Sequence, residues 1–461
     1  MADEVAVLVD IGSTFTKVAT VRYSDELVSR VVVPTTHSDL ASGAEAAADQ
    51  AVPAGSSASE LLMCSSAAGG LRVAVIGLEA QLTLEAGRRA AASAGARVVA
   101  SFAGVLTPVE AESLVVVAPD VVLLTGGTNG GDESAIVANA VRMAKALPES
   151  VPVVVAGNED VSVEVAAAVG TGSRVVRTVA NVLPNIGEIK VDGAQEAIRE
   201  LFVEHVIGRG RFASASPLTA AIRMPTPSAV LAGAEILARL GSSDSRFEAP
   251  VVVDVGGATT DVHSVQPVAQ RGPHRAVVPQ TAVTRTVQGD LGLRENAQTL
   301  VQEAARAGHF DRGEEQGLGA AAAVRAANRT FVPRTRAETH EDQRLATLAA
   351  ALALSRHAGE LRIGLTPAGA TIRNSGRDLR AATCVVATGG IFEAAKNAVA
   401  IVEGALTAAR RRRALVPADV PIFVDQQHVL AAAGLLAAGH PSVAEVLLRR
   451  AFSEGGSERV A

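Results

Sequence analysis

Val251-Val-Val-Asp254-Val-Gly256-Gly257-Ala258-Thr259-Thr260-Asp261-Val-His263-Ser-Val265 is the stretch on which the reading of this chain turns, because residues 5–18 repeat it in altered form. The earlier run is Val5-Ala-Val-Leu-Val-Asp10-Ile-Gly12-Ser13-Thr14-Phe-Thr16-Lys17-Val18. Each is an apolar strand running into an Asp, then a turn of Gly, Ser and Thr, then a second apolar run, which is the pattern of a hairpin with a carboxylate at its tip. Glycine lets backbone N–H groups close on phosphate oxygens, hydroxyls add donors, and two facing carboxylates can hold a hydrated magnesium ion between them. Two such hairpins facing each other would clamp a nucleoside triphosphate.

The pairing resembles the phosphate-one and phosphate-two motifs of the superfamily of acetate and sugar kinases, heat-shock ATPases and actin. A third element, Cys384-Val-Val-Ala-Thr388-Gly389-Gly390-Ile-Phe-Glu393, looks like that superfamily's adenosine motif, a strand into a Gly-Gly turn and a helix. The resemblance implies an α/β fold, an actin-like ATPase with two ribonuclease-H-like lobes. Phosphoryl transfer depends on positioning and charge neutralisation, and the implied roles follow. Asp10 and Asp254 would bind Mg2+ and its waters. Gly12, Ser13 and Thr14, with Gly256, Gly257, Ala258, Thr259 and Thr260, would meet the β- and γ-phosphates of ATP. Lys17 would lie near the phosphates, Asp261 is a second candidate for the attacking water, and Gly389 and Gly390 would meet the adenosine. Thr16 and Thr260 read equally well as ordinary strand residues.

Other phrases are narrower. Asp120-Val-Val-Leu-Leu-Thr-Gly126-Gly127-Thr128-Asn129-Gly130-Gly131, Val155-Ala-Gly157-Asn158, Ala180-Asn181-Val-Leu-Pro184-Asn185-Ile-Gly187-Glu188, Met224-Pro-Thr226-Pro227 and Arg285-Thr-Val-Gln-Gly289-Asp290-Leu-Gly292 resemble the glutamate mutase L proteins, which are unrelated to mismatch repair. Asn129, where an Asp would be expected, is a modest departure. The resemblance implies an ATP-driven chaperone or accessory factor for an adenosylcobalamin-dependent mutase.

Hydrophobic residues make up 48% of 461, enough for a large core, yet no apolar run reaches the ~18 residues of a membrane span. The start, Met-Ala-Asp-Glu, lacks signal-peptide character, and Cys64 and Cys384 form no paired or metal-spaced set, so a reducing cytoplasm is the expectation. A net charge of −6 without a basic stripe gives nucleic-acid binding little support. Arg410–Arg413 reads as a solvated helix end. Lysine is confined to positions 17, 145, 190 and 396, which makes Lys17 harder to dismiss as random surface.

From Leu71 to Ala180 five strands alternate with helices, the rhythm of a doubly wound parallel sheet. We expect residues 67–182 to form an inserted flavodoxin-like domain, 1–66 and 183–247 the first lobe and its connecting helix, 248–412 the second lobe with a helical subdomain, and 413–461 a segment packing on the first lobe. In the insert, Thr125–Gly131 and Gly157-Asn158 fall at the carboxyl ends of strands, as a polar binding rim or as tight turns. Its spacing is reminiscent of cobalamin-binding domains without their Asp-x-His-x-x-Gly, so no cobalt-ligating histidine is expected. Gly233 and Gly404 sit within predicted helices, where an isolated helix would lose ~1 kcal/mol; close crossing of helices between the lobes would explain them.

There is no Gly-x4-Gly-Lys-Ser/Thr, which excludes a P-loop enzyme. Gly208–Ala213 matches a dinucleotide fingerprint but follows a helical run. His263, in the exit strand of the second hairpin, reads as packing or a polar contact. A small-molecule kinase of the acetate or sugar kinase type is the alternative function, although no acceptor-binding signature is present; activators of hydroxyacyl-CoA dehydratases need cluster-binding cysteines, a role for which Cys64 and Cys384 are a poor match.

Overall fold

The structure, a computed structural model, describes residues 3–23, 26–67, 71–208, 221–267, 281–310, 313–366, 369–374, 376–395 and 397–453. It has two compact units, one of Met1–Gly69, Gly210–Arg275 and Ala282–Ala461, the other built from Gly70–Arg209.

The first unit opens with β1 (Asp3–Ile11), β2 (Phe15–Arg22), β3 (Glu26–Pro34), α1 (Leu40–Ala51) and β4 (Ser56–Ser65). The second unit contains β5 (Arg72–Gly77), α2 (Thr83–Ser93), β6 (Arg97–Ala103), α3 (Pro108–Val117), β7 (Val121–Leu124), α4 (Ser134–Ala146), β8 (Val153–Val155), α5 (Ser162–Val169), β9 (Val176–Thr178) and α6 (Asp192–Gly208). The chain returns through β10 (Ile222–Pro225), α7 (Thr226–Arg239), β11 (Pro250–Val255), β12 (Thr260–Val265), β13 (Val283–Gln288), α8 (Ala297–Arg306), α9 (Glu314–Ala327) and α10 (Arg336–Ala358). It ends with β14 (Leu361–Thr366), β15 (Gly369–Asn374), β16 (Cys384–Thr388), α11 (Gly390–Ala394), α12 (Ala398–Arg411), β17 (Ile422–Val424), α13 (Val429–Leu436) and α14 (Pro441–Ser453).

Two five-stranded sheets of the first unit share one plan, β3-β2-β1-β4-β10 and β13-β12-β11-β16-β17. In each, three antiparallel strands are continued by two strands parallel to the first. That is the ribonuclease-H-like arrangement, occurring twice, and the fold is the actin-like ATPase and sugar kinase one. The register carries the repeat down to single residues: Asp10 stands between Lys17 and Cys64, and Asp254 between Asp261 and Thr388.

The lobes share a core in which α7, α13 and α14 meet residues of both sheets. Helices α7 and α13 cross so closely that a Cβ on Gly233 would run into the Leu430 carbonyl and one on Gly434 into that of Ala229. Gly233 therefore lies at a helix crossing between the lobes, whereas Gly404 faces Thr347 of α10, where α12 packs on α10 inside the second lobe. Gly434 holds the place in the crossing that the sequence reading gave to Gly404. The second lobe's own core is centred on α10, whose Ala/Leu run is buried and whose start is fixed by the Thr335–Glu338 capping box.

The sequence-derived boundaries need three corrections. Helix α6, expected on the return to the first lobe, belongs to the second unit and packs on α2. The segment after 413 does not pack on the first lobe alone, since β17 extends the second lobe's sheet beside β16. The helical subdomain expected within 248–412 also contains an antiparallel hairpin of β14 and β15. Beyond Gly208, the dinucleotide-like fingerprint lies outside the described residues, as does Lys396.

In the second unit all five strands are parallel, in the order β6-β5-β7-β8-β9. The rim at their carboxyl ends is bonded to itself. The Asn181 amide group donates to the Gly127 carbonyl at 3.0 Å and to Asn129 Oδ1 at 2.9 Å, and the Gly130 amide to Asp160 at 2.6 Å. Gly127 has φ 69°, and a Cβ there would strike the Asp132 carbonyl. These are the features of tight turns. Among the described residues, no helix is long and apolar enough to cross a membrane.

Candidate functional site

Both predicted hairpin turns form, and they touch. Gly12 donates its amide to the Phe15 carbonyl at 3.0 Å, and Gly256 donates to that of Thr259 at 2.9 Å. A Cβ on Gly257 would collide with Thr14 Oγ1 and stand 3.3 Å from Ser13 Oγ, so the second turn rests against the first with no room for a side chain.

The carbonyls of both turns are held from behind. In the first, Thr35 donates its hydroxyl to Gly12 at 2.8 Å and its amide to Thr14 at 2.9 Å, while Ser66 and Ala67 amides reach Ile11 at 2.9 and 3.1 Å. In the second, the Leu293 amide bonds the Gly256 carbonyl at 3.1 Å, the Arg294 and Glu295 amides bond that of Gly257 at 2.8 and 3.0 Å, and Asn296 Nδ2 bonds that of Ala258 at 2.9 Å. Among the described residues, the amides of Ser13, Thr14, Gly257 and Ala258 donate to no other group. A loop whose C=O groups are bonded and whose N–H groups are not is a site for an anion. Thr260, by contrast, donates its hydroxyl to the Leu291 carbonyl at 2.7 Å as a buried strand residue, and Thr16 bonds Thr35 at 3.1 Å.

Charge is concentrated beside the turns. Lys17 Nζ lies 3.2 Å from Asp10 Oδ2. Burial disfavours its ammonium, but Asp10 and then Asp254 more than offset this, and its pKa rises. Burial pushes Asp254 up to about 7, with Lys17 opposing and Asp10 and Asp425 adding. Asp261 rises to about 8, first through burial and then through Asp254, and its Oδ1 has no hydrogen-bond partner. Lys17 thus serves the carboxylates directly.

The adenosine-like turn stands where expected, at the end of β16. Gly389 has φ 111° and presses on the Val255 carbonyl, a fit open to glycine only, whereas a Cβ on Gly390 would meet open space. Glu393 on α11 bridges to Arg30 of the first lobe at 2.5 Å and to His428 Nε2 at 3.0 Å. These two hydrogen-bonding partners draw its pKa down to about 2.

Several participants carried no assigned role in the sequence: Thr35, Cys64, Thr226, residues 293–296 and Asp425. Thr226 and the approach to 293 lie in phrases that marked the family, which was the available signal. His263 is buried and neutral, burial holding its pKa well down, and among the described residues neither ring nitrogen has a hydrogen-bond partner.

The sequence matches the model of the MutL protein family over residues 6–452. It is 33% identical over 453 residues to Protein MutL of Clostridium tetanomorphum, covering 96% of this chain and 98% of that protein. The chain belongs to the MutL protein family. Similar solved structures include a nucleotide-free acetone carboxylase, 14% identical with a TM-score of 0.39 over 94% of this chain and 70% of that one. A ROK family glucokinase from Streptomyces griseus in complex with glucose and AMPPNP is 12% identical, with a TM-score of 0.30 over 96% and 98%. The activator of 2-hydroxyisocaproyl-CoA dehydratase from Clostridium difficile, with bound ADPNP, is 11% identical, with a TM-score of 0.27 over 99% of each chain.

Proposed function

We propose that the facing hairpins bind ATP with Mg2+ and that hydrolysis drives an accessory or reactivating action on an adenosylcobalamin-dependent mutase. The observation that carries the nucleotide part is the pair of touching turns with every carbonyl named above bonded from behind and four amides left for phosphate oxygens. Membership of the MutL family supports the mutase part and disfavours the small-molecule kinase.

The residues fit Mg2+. Asp10, Asp254 and Asp261 offer hard oxygen donors, and one oxygen of Asp261 is buried without a partner. Among the described residues no three His, Cys, Asp or Glu side chains converge as a self-sufficient metal site. The ion would be held by one or two carboxylates, its own waters and phosphate oxygens. Mg2+ would neutralise charge on the phosphates. The chain's part is to orient the β- and γ-phosphates on the turn amides, place Lys17 against the growing negative charge, and hold a water at Asp254 or Asp261.

Asp10→Ala and Asp254→Ala are each expected to lower magnesium-dependent ATP hydrolysis by at least ~10²-fold with the fold intact. Unchanged rates in both would remove the clamp. The wider test is reactivation of an oxygen- or substrate-inactivated cobalamin mutase with fresh adenosylcobalamin and Mg-ATP. Wild type is expected to restore turnover, and parity with Asp10→Ala would sink the chaperone function.

A further inference from the structure

Asp10 has more bonds than a metal-binding carboxylate needs for its own placement. Oδ2 faces Lys17, whereas Oδ1 accepts from Thr226 Oγ1 at 2.6 Å and from Cys64 Sγ at 3.6 Å. Thr226 is the first residue of α7, is 8% exposed, and makes no capping bond within its own helix. Its hydroxyl is directed instead at the end of β1. The other lobe has the same link with donor and acceptor exchanged: Thr388, on the strand beside Asp254, donates to Asp425 at 3.1 Å, and Asp425 caps the first turn of α13 through the Val429 amide at 2.8 Å. In both lobes, then, the strand end at the phosphate site is tied to the first turn of a connecting helix, and those two helices cross at Gly233 and Gly434.

We propose that Thr226 is a positioning residue for Asp10: its hydroxyl holds Oδ1, fixes the orientation of the carboxylate, and ties it to α7 and so to the helix crossing. This rests on the reading of the hairpins as a clamp for Mg-ATP. A short hydrogen bond from a neutral hydroxyl to a carboxylate is among the stronger kinds, and burial keeps water from replacing it. Removing the hydroxyl takes this donor from Oδ1 and leaves the carboxylate free to turn, without altering the turn amides that hold the phosphates. Metal-assisted steps should suffer, and metal-free nucleotide binding should not.

The test compares Thr226→Val, which keeps the shape and loses the donor, with Thr226→Ser, which keeps the donor. Binding of a methylanthraniloyl-labelled ATP is titrated with Mg2+ and, separately, in EDTA, and hydrolysis is measured alongside. Thr226→Val is expected to move the Mg2+ midpoint of nucleotide binding up by about tenfold and to lower kcat by about tenfold or more, with affinity in EDTA unchanged. Thr226→Ser should return to within about threefold of wild type. Wild-type behaviour of Thr226→Val overturns the proposal, as do a serine variant as impaired as valine and an equal loss of affinity in EDTA. Asp10→Ala run beside them separates the two levels. If it loses Mg2+ dependence while Thr226→Val keeps it, only the role of Thr226 falls. If neither it nor wild type shows Mg2+-dependent binding, the clamp falls and takes Thr226 with it.

Discussion

Asp254 and Asp261 are neighbours across a hairpin, and both have carboxyls raised from 3.8, to about 7 and about 8. The corresponding pair in the other hairpin is Asp10 and Lys17, which attract. The site thus gathers Asp10, Asp254, Asp261 and Asp425 around Lys17, with Arg285 beside Asp261, so that acids outnumber cations in the nucleotide-free protein. Between about pH 4 and 8 the folded state holds protons that an unfolded chain has released, so stability falls as pH rises through that window. Asp261→Asn removes the effect at one position. It is expected to raise the apparent melting temperature of the nucleotide-free protein by roughly 2 °C at pH 8.5 and to give no gain near pH 4, read by thermal melts across pH. A gain of equal size at both pH values would mean that charge is not its cause.

At the scale of elements, the two helix glycines picked out by sequence separate cleanly. Alanine at Gly233 must displace the Leu430 backbone carbonyl, whereas at Gly404 it meets Thr347 Cγ2 at 3.2 Å, the end of a side chain. Gly233→Ala is expected to cost about 1–3 kcal/mol in urea unfolding and Gly404→Ala to be neutral or stabilising by up to about 1 kcal/mol. Comparable losses in both would contradict the crossing. Gly434, on the other side of that crossing, gave no signal because a glycine in a short Ala/Leu helix looks the same whether it packs on backbone or on nothing. The same physics sets what else could be read. The hairpins were legible because strand, carboxylate and turn are contiguous, and the adenosine-like turn because its glycine is required locally. Thr226 lies 216 residues from Asp10, so their bond is a product of the folded topology. Strands β4, β10 and β13 also passed unread: β13 is mostly polar, with valine only at 283 and 287, and β10 is four residues long, too short for a period to show.

The whole molecule joins a body of two repeated lobes to a second unit that has its own sheet and its own core, the latter formed by β5, β7 and β8 with α4 and α5 and including Ile76, Leu124, Ile136, Met143 and Val165. Every strand of that sheet pairs within Gly70–Arg209, and α6 closes on α2 inside the same unit. Residues 70–209 should therefore fold when expressed without the rest of the chain, as a domain of this size with a complete parallel sheet can. A fragment stopped at 182, where the strand rhythm alone would end it, should be weaker, because it lacks α6 and exposes the α2 surface that α6 covers. The longer fragment is expected to melt in one cooperative thermal transition and to bind no ATP, since both hairpin turns proposed to hold the phosphates and the adenosine-like turn lie in the other unit. The shorter one is expected to melt lower by several degrees or to lose cooperativity, because deleting a packed helix uncovers apolar surface at about 25 cal/mol per Å2. Equal melting of the two fragments would show α6 to be an accessory to this unit rather than part of its fold, and nucleotide binding by either would relocate the site altogether.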